Sequence, residues 1–523
     1  MKYVLIFAII LGLLLPAAAL SQDMPRAAPP VVDTIVLVTR NVFGSEEAAA
    51  NVAFRAANSL HFTTRKSVVR RELLFRAGEP YDSALVAETE RNLRRMGIFR
   101  DVAIDSTRIG SRLAVIVQTA DGWTTQLNLS AYSTGGTFSW SAGVAERNLL
   151  GTATTAGASY RDEPDRTAVT FNVGMERAFG SPIAVGAVYD DLSDGERGGW
   201  TFGIPWRAST DRQSFQLIGA AGKERILRYR DGELADSVQR RSVFQSANFA
   251  HAIRASAAGY VRVGLVAQIY RAEHLAYSDT GLSLPDSITG AVGAFAEVSR
   301  ARYKVVTHYN GFARDFDVDL SSRLTLSTWL APAAFGYETT GLGVGIGLQM
   351  GASIDRGFAT IQARANALYN SNGLDSGQAW VGLTGALLPF SKNATVFHVE
   401  MGVQRGIGPG AEYDIGHGLG PRAFGPHSFT GSRMIWGSLE HRAFVLDEVL
   451  GLFGIGFAAF VDYGGAWFED QSRRLGGDVG AGLRLGQTRA TGPNVGRLDL
   501  AYKFGEGFDG NRWVVSFGRG FAF

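Results

Sequence analysis

An alternation of apolar and polar residues with a period of two runs through most of this chain. It is clear in TQLNLSAY from Thr125, in YVRVGLVAQIY from Tyr260 and in VFHVEMGVQ from Val396. The pattern predicts β-strands with two chemically different faces. It extends over residues 123–523 without a fixed repeat length, which disfavours a propeller. Strands of this kind, apolar outside and polar inside, are typical of transmembrane β-barrels.

Composition, charge and the length of apolar runs exclude several classes of protein. Beyond residue 21 the longest apolar run, residues 449–461, has 13 residues including three glycines, which is too short for a spanning helix. The formal charge is +2, from 51 basic and 49 acidic residues, so the basic excess of a nucleic-acid-binding protein is missing. The chain has no cysteine, so its stability must come from a large core or a large closed sheet.

The first residues, MKYVLIFAIILGLLLPAAALSQD, have the pattern of a secretory signal peptide. Lys2 supplies the positive charge, and small residues precede a cut before Gln22. We therefore expect a signal peptide at 1–21 and a linker at 22–30. A retained anchor helix is the alternative, but the apolar stretch is too short to span a bilayer.

Residues 31–122 show a different, mixed pattern. VVDTIVLV reads as a strand, RKSVVRRELLF and DSALVAETERNLRRMG read as helices, and DVAIDST with RLAVIVQT reads as a hairpin. This region resembles a POTRA domain, the periplasmic module of the Omp85 superfamily; an unrelated small α+β domain is the alternative. The predicted fold is thus an α+β POTRA domain at 31–122 followed by an all-β transmembrane antiparallel barrel of sixteen strands at 123–523. In the POTRA domain, an edge around Ile104 or Val115 would pair with an extended polypeptide.

The chain ends on RWVVSFGRGFAF, where alternate positions are largely apolar and the positions between them carry mostly small residues. A barrel has no free edge only if its last strand pairs with its first, so we expect a seam there. The predicted seam residues are Leu127, Leu129, Val515, Phe517, Gly518, Gly520 and Phe523. The two glycines would weaken the closing pair, or they merely relieve crowding inside the barrel.

The strongest functional pattern is GLGPRAFGPHSFTGSRMIWGSLEHRAFV, followed by GFAAFVDYGGAW. Glu440 and Asp462 stand among apolar residues here, and a charge facing lipid costs up to ~2–4 kcal/mol at mid-depth, so both should face inward. The forked guanidinium of Arg422 can engage two carboxylates, although generic lumen charge is the alternative.

The same segment resembles the sixth extracellular loop and the next two strands of Omp85 proteins. Their loop tip carries a hydrophobic–Arg–Gly–aromatic tetrad, and Pro421-Arg422-Ala423-Phe424 stands at this place. The resemblance implies a lock that holds the loop tip in the lumen, made by Arg422, Phe424, Glu440 and Asp462.

Catalytic patterns are weak. Ser371-Asn372-Gly373 is similar to the nucleophile segment of outer-membrane phospholipase A, but Tyr369 stands where that family has its histidine base. The histidines lack the H-E-x-x-H spacing, and His417 with His427 on a loop would be solvated rather than bind a metal. We expect no enzyme activity, no cofactor and no metal site.

By the Omp85 resemblance, the protein would insert or translocate polypeptides at a bacterial outer membrane, with its POTRA domain in the periplasm. Its partners would be the lipid bilayer of that membrane and unfolded outer-membrane or secreted polypeptides. Periplasmic chaperones or lipoproteins are further candidates, and nucleic acid is not expected. Two alternatives remain: a passive pore or lipid-handling barrel without insertase activity, and an exported β-rich surface or scaffold protein.

Overall fold

The structure is a computed structural model. It describes residues 29–110, 112–134, 137–230, 232–275, 284, 286–406, 408, 410–416, 419–491, 495–507 and 511–520. The predicted signal peptide and most of the predicted linker lie outside these ranges. Within them, no helix is both long and apolar enough to cross a membrane.

The described residues before Gly122 form an N-terminal unit. Its elements are β1 (Val32–Arg40), α1 (Ser45–Ala50), α2 (Val52–Leu60), α3 (Lys66–Glu72), α4 (Ser83–Arg95), β2 (Phe99–Ile109) and β3 (Arg112–Asp121). The strand order is β1-β3-β2, with β1 parallel and β2 antiparallel to β3. Asp82 caps α4, since its Oδ1 accepts a hydrogen bond from Ala84 N at 2.8 Å. This helix buries Leu93 in the core beside Val115 and Val117.

The prediction of a POTRA domain is corrected here, because the N-terminal unit is not recognisable as a clear POTRA domain. Its first three helices have only six to nine residues, and the unit is ion-paired to the barrel. Val115 was also wrongly predicted at an edge: it lies on the central strand, between Ile35 and Ser106, whereas Ile104 lies on the edge strand β2. The hairpin of β2 and β3 can be predicted from a local pattern. The parallel pairing of β1 with β3, which makes β3 central, joins segments that are distant in the chain.

From Thr125 onward the described chain is almost entirely β-strand. The strands are β4 (Thr125–Thr134), β5 (Thr137–Glu146), β6 (Thr154–Asp162), β7 (Thr167–Met175), β8 (Ala184–Leu192), β9 (Gly195–Ile204), β10 (Gln213–Arg230), β11 (Glu233–Ser256), β12 (Gly259–Leu275), β13 (Ser287–Arg300), β14 (Tyr303–Thr307), β15 (Asp315–Asp319), β16 (Ser322–Ala331), β17 (Gly341–Ile354), β18 (Gly357–Asn370), β19 (Gly373–Leu387), β20 (Asn393–Arg405), β21 (Tyr413–Ile415), β22 (Phe429–Gly431), β23 (Arg433–Val449), β24 (Phe453–Trp467), β25 (Gly476–Gln487), β26 (Val495–Gly505) and β27 (Trp513–Arg519).

Twenty of these strands close into one antiparallel barrel, in which each strand pairs with the next and β27 pairs with β4. The predicted number of sixteen is therefore wrong. The physical reason is that the first six barrel strands, β4 to β9, have only nine or ten residues each, so that all six fit into residues 125–204. Alternation sets the face of each residue but not the number of strands.

The barrel wall has the two faces that the alternation predicted. On β12, Val263, Leu265 and Ile269 are exposed on the outside, whereas Arg262 is buried inside. On β23, Leu439 is exposed and its neighbour Glu440 is fully buried. The outer surface is thus apolar and the charged side chains of these strands face inward, as a lipid-embedded cylinder requires.

The N-terminal unit contacts one end of the barrel, here called the proximal end; the opposite end is the distal end. Arg177, after β7, forms an ion pair with Glu72, and Arg489, after β25, pairs with Glu47 at 2.8 Å. Two segments enter the lumen from opposite ends. The inner hairpin, residues 301–321 with β14 and β15, comes from the proximal end. The lumen loop, which comprises the described residues between 406 and 432 with β21 and β22, comes from the distal end.

Candidate functional site

The tip of the lumen loop places Arg422 between two buried carboxylates. Its Nε donates to Asp462 Oδ2 at 2.6 Å and its Nη1 donates to Glu440 Oε2 at 2.6 Å. Its Nη2 reaches Asp462 Oδ1 at 3.1 Å and Ser438 Oγ at 3.3 Å. Arg422 is 4% exposed and neither acid exceeds 1%. The structure thus brings together the three charged residues that the sequence singled out.

Alternation along β23 and β24 explains why these acids meet the loop. Ser438, Glu440 and Asp462 share the inward parity of adjacent strands, and Ser438 pairs directly with Asp462 in the ladder. Phe460, also inward, lies under the guanidinium, with its ring centroid 3.7 Å from Arg422 Cζ. Hydrogen bonds to both acids and a ring face together satisfy a charge that would be costly to bury alone.

The rest of the tip is anchored by packing. Phe424 is fully buried, in a cluster with Ile415, Phe429 and Trp436. The backbone N–H of Ala423 donates to Asp478 Oδ2 at 2.9 Å. Ala423 has no positive φ, so alanine fits this position of the tetrad without left-handed strain.

Sequence reasoning missed the charges that surround this lock. Arg442 Nε donates to Glu440 Oε1 at 2.7 Å, Arg484 Nη2 lies 3.5 Å from Glu440 Oε2, and Arg484 Nη1 donates to Asp499 at 2.5 Å. All three side chains are buried. The signal for them was their inward-facing position on β23, β25 and β26, but that position alone does not distinguish them from solvated lumen charges.

The inner hairpin was also missed, and it packs against the barrel wall inside the proximal part of the lumen. Phe312 packs in a buried cluster with Phe358 on β18, Phe444 on β23 and Val495 on β26, which lie on widely separated strands. A Cβ at inward-facing Gly454 would lie 2.3 Å from the Phe312 ring, so this glycine leaves the space that the ring occupies. The hairpin is therefore part of the barrel core.

Glu440 joins the two lumen segments through one carboxylate. One oxygen accepts from Arg422 of the lumen loop, and the other accepts from Arg442. Arg442 Nη1 in turn donates to Tyr309 O and to Asn310 Oδ1 of the inner hairpin, both at 2.9 Å. The two segments that close the lumen are thus held by a continuous set of charge-assisted hydrogen bonds.

The inner hairpin also holds the N-terminal unit. Arg94 on α4 makes a two-pronged contact with Asp317, from Nε at 2.6 Å and from Nη2 at 2.7 Å. Arg314 Nη2 donates to Phe99 O at 2.6 Å, and Arg91 lies 4.2 Å above the Tyr303 ring. A connection therefore runs from the N-terminal unit through the hairpin to the lock.

Replacing Arg442 by methionine tests this connection. The hairpin tip would lose both hydrogen bonds from Arg442, and Glu440 would lose one of its guanidinium partners, so we expect the hairpin to loosen by roughly 2–4 kcal/mol. The measurement is single-channel conductance in a planar bilayer, which should rise. Arg356→Met is the control, because Arg356 is exposed at the proximal end and its guanidinium donates to the backbone at Pro389 O. Equal conductance of the two variants would contradict the connection.

The seam is narrow in the described part of the chain. The ladder between β27 and β4 consists of Ser516 opposite Tyr132 and Phe517 opposite Ala131. The adjacent pair β26–β27 has seven such partners and β10–β11 has eighteen. Among the described residues, the barrel thus has its fewest ladder partners where its two terminal strands meet.

The predicted seam residues are placed as follows. Leu127, Leu129, Val515 and Phe517 are exposed on the outer face, Gly518 lies beside the Arg497 side chain, Gly520 has φ +76° with open space around it, and Phe523 lies outside the described residues. Near the proximal end a second contact supports the start of β4: Gln126 Nε2 donates to Thr491 O at 2.7 Å, and Trp123 N donates to Arg489 O at 2.6 Å. The described residues 488–491 after β25 thus contribute to the seam. The sequence of this turn gave no indication of that role.

His427 ties the lumen loop to the distal rim. Its Nδ1 lies 2.6 Å from Asp414 and its Nε2 lies 3.0 Å from Asp165 in the β6–β7 connection. The ring stacks on Tyr229 at 3.6 Å, and Tyr229 also donates to Asp165. Burial alone would lower the pKa of His427, but Asp165 and Asp414 outweigh it and raise this pKa to about 9. His417, its predicted neighbour on the loop, lies outside the described residues.

This geometry predicts a pH dependence for the anchoring of the loop. Because the pKa of His427 is raised on folding, the stabilisation is complete below about pH 6.5 and is lost as the pH rises through about 9. A spin label on Ala411→Cys should become more mobile across that range. His427→Gln should abolish the transition, whereas His441→Gln, which removes a histidine bonded to Thr395, should leave it unchanged. A transition that persists in His427→Gln would contradict the assignment.

Three solved structures are similar to this chain. BamA from Haemophilus ducreyi lacking POTRA domains 1-3 has 12% sequence identity, covers 95% of this chain and 86% of its own, and has a TM-score of 0.41. CdiB from Escherichia coli has 10% identity, 97% and 92% coverage and a TM-score of 0.46. CdiB from Acinetobacter baumannii has 11% identity, 99% and 96% coverage and a TM-score of 0.42. No protein-family model and no curated protein matches the chain. Likeness at this level decides neither family nor activity.

Proposed function

We propose that this protein is a bacterial outer-membrane barrel that inserts or translocates polypeptides through an opening between β4 and β27. The observation that carries the proposal is the two-residue ladder at the seam, set against much longer ladders between neighbouring strands. Few hydrogen bonds need to break for this pair to separate. Separation would present a free strand edge, which is a template for an extended polypeptide.

The two segments packed inside the lumen support a gated barrel over a passive pore. Phe312 of the inner hairpin and Phe424 of the lumen loop are both buried inside the cylinder. An open aqueous channel would require both segments to leave, and the lock at Arg422 opposes this. The apolar outer face supports a lipid bilayer as one partner, and unfolded outer-membrane or secreted polypeptides are the proposed substrates.

The test is an assembly assay with the full chain in lipid vesicles. The substrate is a urea-unfolded eight-stranded outer-membrane barrel protein, and its folding is followed by heat-modifiable migration on a gel. We expect folding to be accelerated relative to vesicles without the protein. Bilayer conductance is measured on the same preparation. A protein that conducts steadily but accelerates neither insertion nor export of polypeptide would overturn the proposal and favour the passive pore.

A further inference from the structure

Three connections at the proximal end share an unusual backbone. Leu150-Gly151, Phe179-Gly180 and Leu450-Gly451 each place two successive residues at positive φ: 55° and 73°, 51° and 80°, and 54° and 70°. Two successive left-handed residues are the signature of a type I′ turn, whose first position favours asparagine, aspartate or glycine. Leucine and phenylalanine are strained there because of their Cβ atoms.

The strained residues are also exposed. Phe179 is 99% exposed, Leu450 is 82% exposed and Leu150 is 50% exposed. The barrel and the N-terminal unit thus leave at least half of each side chain uncovered. A large apolar side chain therefore stands in an unfavourable backbone conformation and outside the folded core, in three separate turns. An asparagine at each position would relieve the strain, so the apolar side chains serve something outside the chain.

The glycines show which side of each turn packs against the N-terminal unit. A Cβ at Gly151 would lie 2.5 Å from Thr63 O, and one at Gly180 would lie 2.4 Å from the Arg71 guanidinium. One at Gly451 would lie 3.5 Å from the Phe54 ring. Each glycine thus faces the N-terminal unit, and the apolar residue before it is left to the surroundings.

The outer face next to these turns is apolar as well. Val144 on β5, Val173 on β7 and Phe453 on β24 are exposed on the strands that the turns connect. The turn tips therefore extend the apolar belt of the barrel beyond the ends of its strands. Two of the turns lie on one side of the seam and the third lies on the other side. A single protein partner would need one continuous patch, whereas a lipid layer surrounds the whole barrel.

We propose that Leu150, Phe179 and Leu450 are membrane anchors that insert into the lipid leaflet next to the N-terminal unit. The proposal rests on the membrane location in the proposed function. Insertion on both sides of the seam would hold that end of the barrel at a constant depth, and the glycine contacts would hold the N-terminal unit against the membrane surface. Leu60 and Phe62, exposed beside Thr63, would add to the same apolar surface.

The absence of cysteine allows a direct test with single labelled cysteines. Leu150→Cys, Phe179→Cys and Leu450→Cys are each labelled with an environment-sensitive fluorophore and reconstituted in phosphatidylcholine–phosphatidylglycerol vesicles containing brominated lipid. Leu265→Cys, on the outer face of β12, shows whether the barrel itself is in lipid. Ala77→Cys, at an exposed position of the N-terminal unit, is the control for a probe surrounded by water. We expect the three turn probes to be quenched by bromine, as at Leu265.

The outcomes separate the two proposals. If the probe at Leu265 is quenched but the three turn probes are as little quenched as the one at Ala77, the turns are not membrane anchors. The proposal of a membrane barrel would then still stand. No quenching at Leu265 would overturn the membrane location itself. A triple variant, L150N/F179N/L450N, gives a second readout. Its thermal stability in detergent should equal or exceed that of the parent, while its insertion into vesicles should slow by roughly tenfold. Equal insertion rates would also overturn the anchors.

Discussion

A disulfide between residues 131 and 517 is expected to abolish polypeptide assembly, and reduction is expected to restore it. Ala131 and Phe517 are direct partners across β4 and β27. Facing Cα atoms in an antiparallel pair lie about 4.5–5.5 Å apart, which is within the Cα range of about 4.4–6.8 Å found in disulfides. Because the chain has no other cysteine, Ala131→Cys with Phe517→Cys can form only this intramolecular bond. The measurement is the assembly assay with and without reductant.

A matched double variant controls for the bond itself. Leu500→Cys with Val515→Cys joins β26 to β27, which already share seven ladder partners. This bond should leave assembly unchanged in both redox states. If the bond across the seam also had no effect, the opening between β4 and β27 would not be part of the mechanism.

Replacing Arg422 by alanine is expected to release the lumen loop and reduce assembly while the barrel stays folded. The substitution leaves the buried Asp462 and Glu440 with fewer cationic partners, and breaking a buried pair of this kind costs about 3–5 kcal/mol. The barrel ladders do not depend on this side chain, so heat-modifiable migration should persist. Conductance should rise and the assembly rate should fall.

Two further variants show whether geometry or charge matters. Arg422→Lys keeps the charge but loses the fork that reaches both acids, so its effect should be intermediate. Arg433→Ala removes an exposed ion pair with Glu469 at the distal end and should cost no more than about 1 kcal/mol. Unchanged conductance and assembly in Arg422→Ala would contradict the role of the lock.

Part of the site followed from local patterns. Glu440 and Asp462 could be placed inside the barrel because side chains alternate between the two faces of a strand. Arg422 could be assigned to them because a loop arginine close in sequence is a natural partner for two inward acids. Arg442 and Arg484 follow the same inward parity, but their partners come from other strands and from the inner hairpin, which alternation does not specify.

The inner hairpin shows most clearly what local sequence patterns cannot predict. Its sequence, YKVVTHYNGFARDFDVDL from Tyr303, has the same alternation as the wall strands and a turn in the middle. Nothing local distinguishes a hairpin in the wall from one inside the lumen. Phe312 is buried because the closed cylinder leaves a space there, bounded by Gly454 and Gly486, and this space exists only once distant strands have joined.

The sequence by itself determined that residues after Gly122 form strands, which face of each strand is apolar, and that Glu440 and Asp462 point inward. These properties depend on the positions of neighbouring residues along one strand. Only the tertiary structure decided that twenty strands close the barrel, that Val115 lies on a central strand, and that β4 and β27 share a short ladder. Those properties depend on pairing between segments distant in the chain, where register and closure are set by the whole sheet.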